Sequence, residues 1–353
     1  MNKERKSNIE LLRIFSIFLI ICFHYVYYSE YSYTNLDLQS YIIKCILFCG
    51  ELGCNLFLLI TGYFYDKNKL TFKKVIKLIL EVYFYYYISL FISFRLNLVD
   101  IHNTNELIKL FFPLTNSFIY WFFTAYFLLL LFVPYLNTTI NNIDKSMHKQ
   151  LIITSLIVWS IIPTVYGILF NYSEKGFFFN RFIWAVILYF IGSYIRKYNF
   201  NFINTNKKLI GTFIITSSIM IFSIYFFDKN YDFFNSIGTN EVAYLWTPNN
   251  IFMIILSICV FNMFLKINIK SQIINIISST TLGIYLIHDG PLSKFIWDTL
   301  FKTKYYINSD YPIINILFAS FTILIICVLI DLIRQSLEDI TINKLLYKKK
   351  KKS

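Results

Sequence analysis

This chain predicts an all-α fold, a polytopic membrane bundle of about ten transmembrane helices with both termini cytoplasmic, and three observations carry that prediction. Hydrophobic residues make up 57% of its 353 residues and charged residues only 15%. Soluble domains hold about 25% charged and about 45 to 50% apolar residues, so water is not the main solvent here. The apolar residues also fall in runs near the roughly 20 residues that cross a bilayer, and ten such runs leave no room for an independent soluble domain. Finally, basic residues gather at alternate ends of those runs.

The first run, 9–28, has no small-residue cleavage site and is too long for the apolar part of a signal peptide, so it is expected to stay as a span. Polar punctuation separates further runs at 41–63, 75–94, 118–136 and 150–170, then at 178–195, 209–227, 248–265, 273–288 and 311–333. The ninth is short, contains Ser278, Ser279, Thr280 and Thr281, and is followed by Pro291. It is expected to be tilted, broken or partly re-entrant. With the N-terminus inside, the cytoplasmic segments hold 23 Lys and Arg and the outer ones nine, with Arg13 inside the first run. That bias over short loops sets the orientation. The outer nine include Lys44, Lys109, Lys175 and Arg181, and the acidic residues Glu30, Asp37, Asp100, Glu106, Asp228, Asp232 and Glu241 lean outward. The outer loops at 95–117, 228–247 and 289–310 are the longest, with Tyr231, Phe233 and Phe234 as interfacial caps. Residues 1–335 make the membrane domain and 336–353 a basic cytoplasmic tail, whose Lys348 to Lys352 suit anionic lipid. No internal repeat is visible.

Several chemistries are excluded. The net charge of +13 sits in short segments between apolar runs and reads as topology, not as a nucleic-acid surface. The six cysteines form no CxxC pair and are expected to be buried free thiols. His102 and His148 fall in predicted loops on opposite faces, so no metal site is expected. There is no GxSxG and no phosphate-cradling glycine loop.

Ionisable groups inside spans are costly and are candidate sites by default. Glu10, Arg13 and His24 lie in the first run, and Glu51 lies in the second. His24 stands 11 positions after Arg13, about 1100° of helix, or roughly 20° past three turns, with a rise of about 16.5 Å. The two therefore share a face, with Glu10 one turn before Arg13 and able to pair with it. Arg13 has a bland reading as a snorkelling anchor, and His24 as a hydrogen-bonded structural histidine. The in-phase pair with an acid attached favours function: an anion-binding arginine at the cytoplasmic mouth, with a titratable imidazole deeper on the same face.

The run SNIELLRIFSIFLIICFHY, with its Arg13 and His24, resembles the opening of the acyltransferase family three membrane proteins of bacteria. Phe57 to Tyr63 (FLLITGY) is similar to the family's second-helix ending, and the basic segment from Asp66 to Lys77 resembles the link after it. The stretches YWFFTAYFLLLLFVPYLN from Tyr120 and TTLGIYLIHD from Thr280 resemble its fourth-helix and late-helix patterns. The likeness covers nearly the whole chain. It implies about ten spans in the bacterial plasma membrane and O-acyl transfer, usually of acetyl from acetyl-CoA, to an envelope, capsular or exopolysaccharide glycan. It also implies that Arg13 and His24 are essential.

Such a transfer needs a base for the acceptor hydroxyl, charge stabilisation at the carbonyl, and a place for the donor phosphates. His24 is the expected base, and Arg13, supported by Glu10, the expected donor grip. Glu51 is expected to pair with a cationic or hydroxyl partner. Trp121, Tyr63 and Tyr285 can stack on sugar or adenine, or simply pack. His288 and Asp289 can orient a glycan hydroxyl, act as a second acid/base pair, or cap a helix end. No bound cofactor or metal is expected; the partners are acyl-CoA, the glycan and membrane lipids. The alternative is a glycan exporter or flippase without transferase activity.

Overall fold

The computed structural model describes residues 6–31, 37–66, 71–98, 110–111, 120–170, 179–199, 205–230, 233, 236, 245 and 247–350. Asp100, His102, Glu106, Lys109, Lys175, Tyr231, Asp232, Phe234 and Glu241 lie outside them. Among the described residues there is helix and no strand. Seven helices among the described residues are long and apolar enough to cross a membrane. They include α1 (Ser7–Tyr28), α2 (Leu38–Tyr63), α3 (Phe72–Arg95) and α4 (Trp121–Asn142). The next joins α5 (Lys145–Leu156) to α6 (Ile162–Phe170) through a π-turn at Ile157–Ile161. After it come the shorter α7 (Arg181–Lys197), the long α8 (Asn206–Lys229) and the shorter α9 (Ile251–Leu265). The ninth run is broken, as its Ser/Thr content predicts, into α10 (Gln272–Ser278) and α11 (Thr281–His288). A second π-turn (Phe295–Leu300) and the short α12 (Thr303–Tyr306) lead into α13 (Pro312–Lys350). Each of the ten apolar runs thus contains helix among its described residues. α13 passes the expected 335/336 domain boundary without a break.

The helix starts follow from sequence. Asp37, Thr71, Asp144, Asn180, Thr205, Asn250 and Ser271 each precede a helix, and each side chain accepts a first-turn N–H. Apolar side chains left exposed line single faces, such as Leu80, Phe84 and Phe91 on α3 and Phe318, Ile325 and Leu329 on α13. In a bilayer these faces meet lipid.

α1 and α2 lie antiparallel at the centre and contribute to two cores. One joins them to α7 and α9 through Leu56, Leu59, Leu188, Tyr189 and Phe261. The other joins them to α3, α11 and α13 through Ile21, Tyr86, Ile284, Trp297 and Ile316. Asp331 of α13 accepts from Tyr85 of α3 at 2.6 Å and from Arg334 at 2.7 Å, and Arg334 reaches Glu81 at 3.0 Å. α11 packs onto this network through Gly283, where a Cβ would lie 2.4 Å from Asp331 Oδ1.

Two basic residues assigned to outer loops are inside the fold. Lys44 is fully buried on α2 and pairs with Asp228 of α8 at 2.6 Å, so the bundle neutralises it. Arg181 opens α7 and turns inward, as described below. The six cysteines are free, as expected; Cys22, Cys54, Cys259 and Cys327 are buried, whereas Cys45 and Cys49 are only half-buried.

α2 and α7 touch through backbone. A Cβ on Gly62 would lie 2.2 Å from Tyr189 O, and one on Gly192 2.3 Å from Leu59 O. Such close crossings need small residues. Gly192→Ala should therefore destabilise the protein by about 1–3 kcal/mol. Gly211→Ala, whose Cβ meets nothing within 4 Å, should be neutral or stabilising by up to about 1 kcal/mol. Melting temperatures in detergent test the pair, and equal shifts would refute the close-contact account.

Candidate active site

Two chambers lie end to end along α1. The first, about 310 Å³, is lined by Arg13, Ile17, Thr61, Tyr126, Ser278 and Ser279 among others. The second, about 410 Å³, is lined by His24, Tyr28, Glu51, Cys54, Trp121, Arg181 and Asp289 among others. Ile20, Phe122 and Tyr285 line both and form the constriction between them. The helical phase of Arg13 and His24 thus places them on one face, each opening on its own chamber.

In the Arg13 chamber, Arg13 Nη1 is 3.5 Å from Glu10 Oε2, as their spacing predicts. Glu10 also accepts from Ser278 Oγ, a hydroxyl freed at the break between α10 and α11. Tyr63 is elsewhere. It ends α2 on the N-terminal side of α1, buried, accepting from Lys6 Nζ at 3.1 Å. Lys6 and Arg196 flank its ring at 5.2 and 5.3 Å, and Arg13 lies 5.9 Å from the ring of the adjoining Phe64. Three cations, Lys6, Arg13 and Arg196, therefore lie around the adjoining rings of Tyr63 and Phe64.

The His24 chamber holds most of the other predicted residues. Glu51 finds its cationic partner in Arg181, which binds it through two hydrogen bonds of 2.7 and 2.8 Å. The same guanidinium lies 4.0 Å from the centre of the Trp121 ring, so Trp121 already carries a cation on one face. Sequence spacing does not link residues 51, 121 and 181. The available signal was Asn180, a helix cap directly before Arg181, which places that arginine in a first helical turn.

His24 sits in a chain of hydrogen bonds that fixes its tautomer. His288 is fully buried behind it, with Nδ1 2.6 Å from Ile284 O and Nε2 2.9 Å from His24 Nδ1. The carbonyl can only accept, so His288 Nδ1 carries the hydrogen. A neutral His288 then accepts at Nε2, and His24 donates from Nδ1. The lone pair of His24 is left on Nε2, 3.5 Å from Asp289 Oδ1, which also accepts from Tyr28 Oη at 3.2 Å. Trp297 Nε1 holds the His288 carbonyl at 3.3 Å. A basic nitrogen oriented by a second group and flanked by a carboxylate is equipped to take a proton and steady the resulting cation. Among the described residues no cluster of His, Cys, Asp and Glu could hold a metal ion.

Residues 6–332 match the family model of the acyltransferase 3 domain. No curated protein and no solved structure matches the chain. The family match spans both chambers and nearly the whole chain, and it joins a bundle of apolar helices long enough to cross a membrane: the chain is a membrane acyltransferase and belongs to the acyltransferase 3 family.

Proposed function

We propose that this protein moves an acetyl group from cytoplasmic acetyl-CoA to a hydroxyl of a cell-envelope, capsular or exopolysaccharide glycan at the bacterial plasma membrane. The observation that carries this reading is the pair of chambers meeting at Ile20, Phe122 and Tyr285, with Arg13 in one and His24 in the other. The ten apolar runs give ten spans, and the bias of 23 basic residues to the seven left outside once Lys44 and Arg181 are placed within the fold puts both termini in the cytoplasm. That orientation puts the Arg13 chamber, and Lys6 and Arg196 at Tyr63, on the cytoplasmic side, where CoA is. The acceptor enters the His24 chamber from outside, lying among the aromatic rings of Tyr27, Tyr28 and Trp121. The apolar constriction, with Ile20 4% and Tyr285 6% exposed, suits passage of an acyl arm and opposes passage of a polysaccharide, so the enzyme reading is favoured over export.

The chemistry runs as one displacement. The acceptor oxygen attacks the thioester carbonyl, giving its proton to His24 Nε2. The C–S bond then breaks, its electron pair leaves with sulfur, and His24 returns the proton to the thiolate. Asp289 balances the imidazolium in between. Arg13, with Lys6 and Arg196 around Tyr63, holds the donor phosphates, and Glu10 and Ser278 hold Arg13 in place.

Mass spectrometry of envelope glycans from cells with and without the protein tests the overall reading: O-acetyl esters should disappear with the protein while glycan export continues. Unchanged esters with glycan retained inside would refute it. For the donor site, Arg13→Lys keeps the charge and loses the planar fork. It should raise KM for acetyl-CoA about tenfold, while leaving KM for acetyl-pantetheine, which lacks the nucleotide, within about twofold. Equal effects on the two donors would exclude Arg13 as a phosphate ligand.

A further inference from the structure

Acyl transfer passes through a tetrahedral species whose carbonyl oxygen carries negative charge, and a transferase needs a hydrogen-bond donor waiting there. Neither His24 nor Arg13 supplies it in the scheme above. The place to look is the constriction, where an acyl group arriving through the Arg13 chamber meets an acceptor in the His24 chamber.

Tyr285 stands there, 94% buried by its 6% exposure, and its hydroxyl has no hydrogen-bond partner. Buried polar groups are almost always paired, so an orphan calls for an explanation. The backbone amide of Phe122 faces the hydroxyl and can only donate, so it gives the tyrosine hydrogen no acceptor. Other buried hydroxyls lack partners too, among the described residues Tyr25, Tyr86, Tyr198, Ser160, Thr303 and Ser320. None of those six lines either chamber, whereas Tyr285 lines both. One helix also places the neighbours. Tyr285 lies one turn before His288 on α11, with ring centres 6.4 Å apart, and the His288 ring is 5.0 Å from that of His24.

We propose that Tyr285 is a catalytic residue that donates its hydroxyl hydrogen bond to the carbonyl oxygen of the acyl group in the transition state. This rests on the transferase reading. As the acceptor oxygen bonds to the carbonyl carbon, the carbonyl π electrons move to oxygen and Tyr285 stabilises that oxyanion. When the electrons return, the C–S bond breaks and the sulfur takes its electron pair. Tyr285 keeps its proton throughout, since His24 carries the transferred one. The orphan hydroxyl is thus a donor held ready for charge that exists only during reaction.

The isosteric change Tyr285→Phe separates this role from a structural one. In nanodisc-reconstituted protein with acetyl-CoA and the native glycan, Y285F should lower kcat by about 10²- to 10³-fold and leave KM for acetyl-CoA within about twofold. Its melting temperature should be unchanged or higher, because the lost hydroxyl has no partner in the folded chain. Tyr86→Phe, which removes another orphan hydroxyl away from the chambers, should leave kcat unchanged. Wild-type kcat in Y285F overturns the proposal, and so does a fall in its melting temperature or failure to fold, since either assigns the hydroxyl to structure. A wild-type protein that transfers no acetyl group overturns the transferase reading, and the oxyanion role falls with it.

Discussion

His24→Ala should reduce acyl transfer by about 10²- to 10⁴-fold, the range over which a positioned general base acts, with glycan export and protein abundance unchanged. The basis is geometric. Among the described residues His24 alone combines an unprotonated nitrogen, a wall position in the acceptor chamber, and a carboxylate 3.5 Å from that nitrogen to steady the cation. The buried surroundings of the ring make alanine the cleaner test, because it adds no polar group that would need a partner. His24→Gln is a useful companion, since its amide can still donate toward His288 but cannot take a proton. Both variants should be equally inactive. If Gln retained wild-type turnover, His24 would be a structural hydrogen-bonding residue and the proton would have to go elsewhere.

The parts of this site that sequence made legible are those set by local periodicity. Arg13 and His24 share a face because one helix of fixed pitch carries both, and Glu10 reaches Arg13 for the same reason. The broken ninth span could be read from Ser278 to Thr281, because such residues compete for backbone hydrogen bonds inside a helix. The unread parts are pairings between distant helices. Glu51 calls for a cationic or hydroxyl partner, but Arg181 is 130 positions away and counts with the outer loops; only packing of α7 on α2, through Gly62 and Gly192, brings them together. Lys44 counts with the outer loops because a charge near a helix end reads as a boundary, yet Asp228 holds it wholly inside. Tyr63 matches a motif and lies beside Lys6 at the end of α2, apart from Trp121 and Tyr285. A motif fixes a residue's place along its own helix and leaves its neighbours on other helices open.

His288→Leu should lower kcat by about a hundredfold while changing KM for donor and acceptor by less than about twofold. His288 lines neither chamber and is fully buried, so it acts on substrate only through His24. Its Nε2 accepts the His24 Nδ1 hydrogen at 2.9 Å, and its own Nδ1 is anchored on Ile284 O at 2.6 Å. Leucine fills the space but removes the acceptor, which frees His24 to rotate or to place its hydrogen on Nε2, where it could no longer act as base. His288→Gln offers an acceptor and a donor in one side chain and should recover a good part of the lost turnover. That recovery distinguishes positioning from packing, because glutamine resembles histidine in hydrogen bonding and leucine resembles it in apolar bulk. Equal loss in both variants, together with lowered melting temperatures, would make His288 a structural residue of α11. A KM change that exceeds the kcat change would instead place it in contact with substrate.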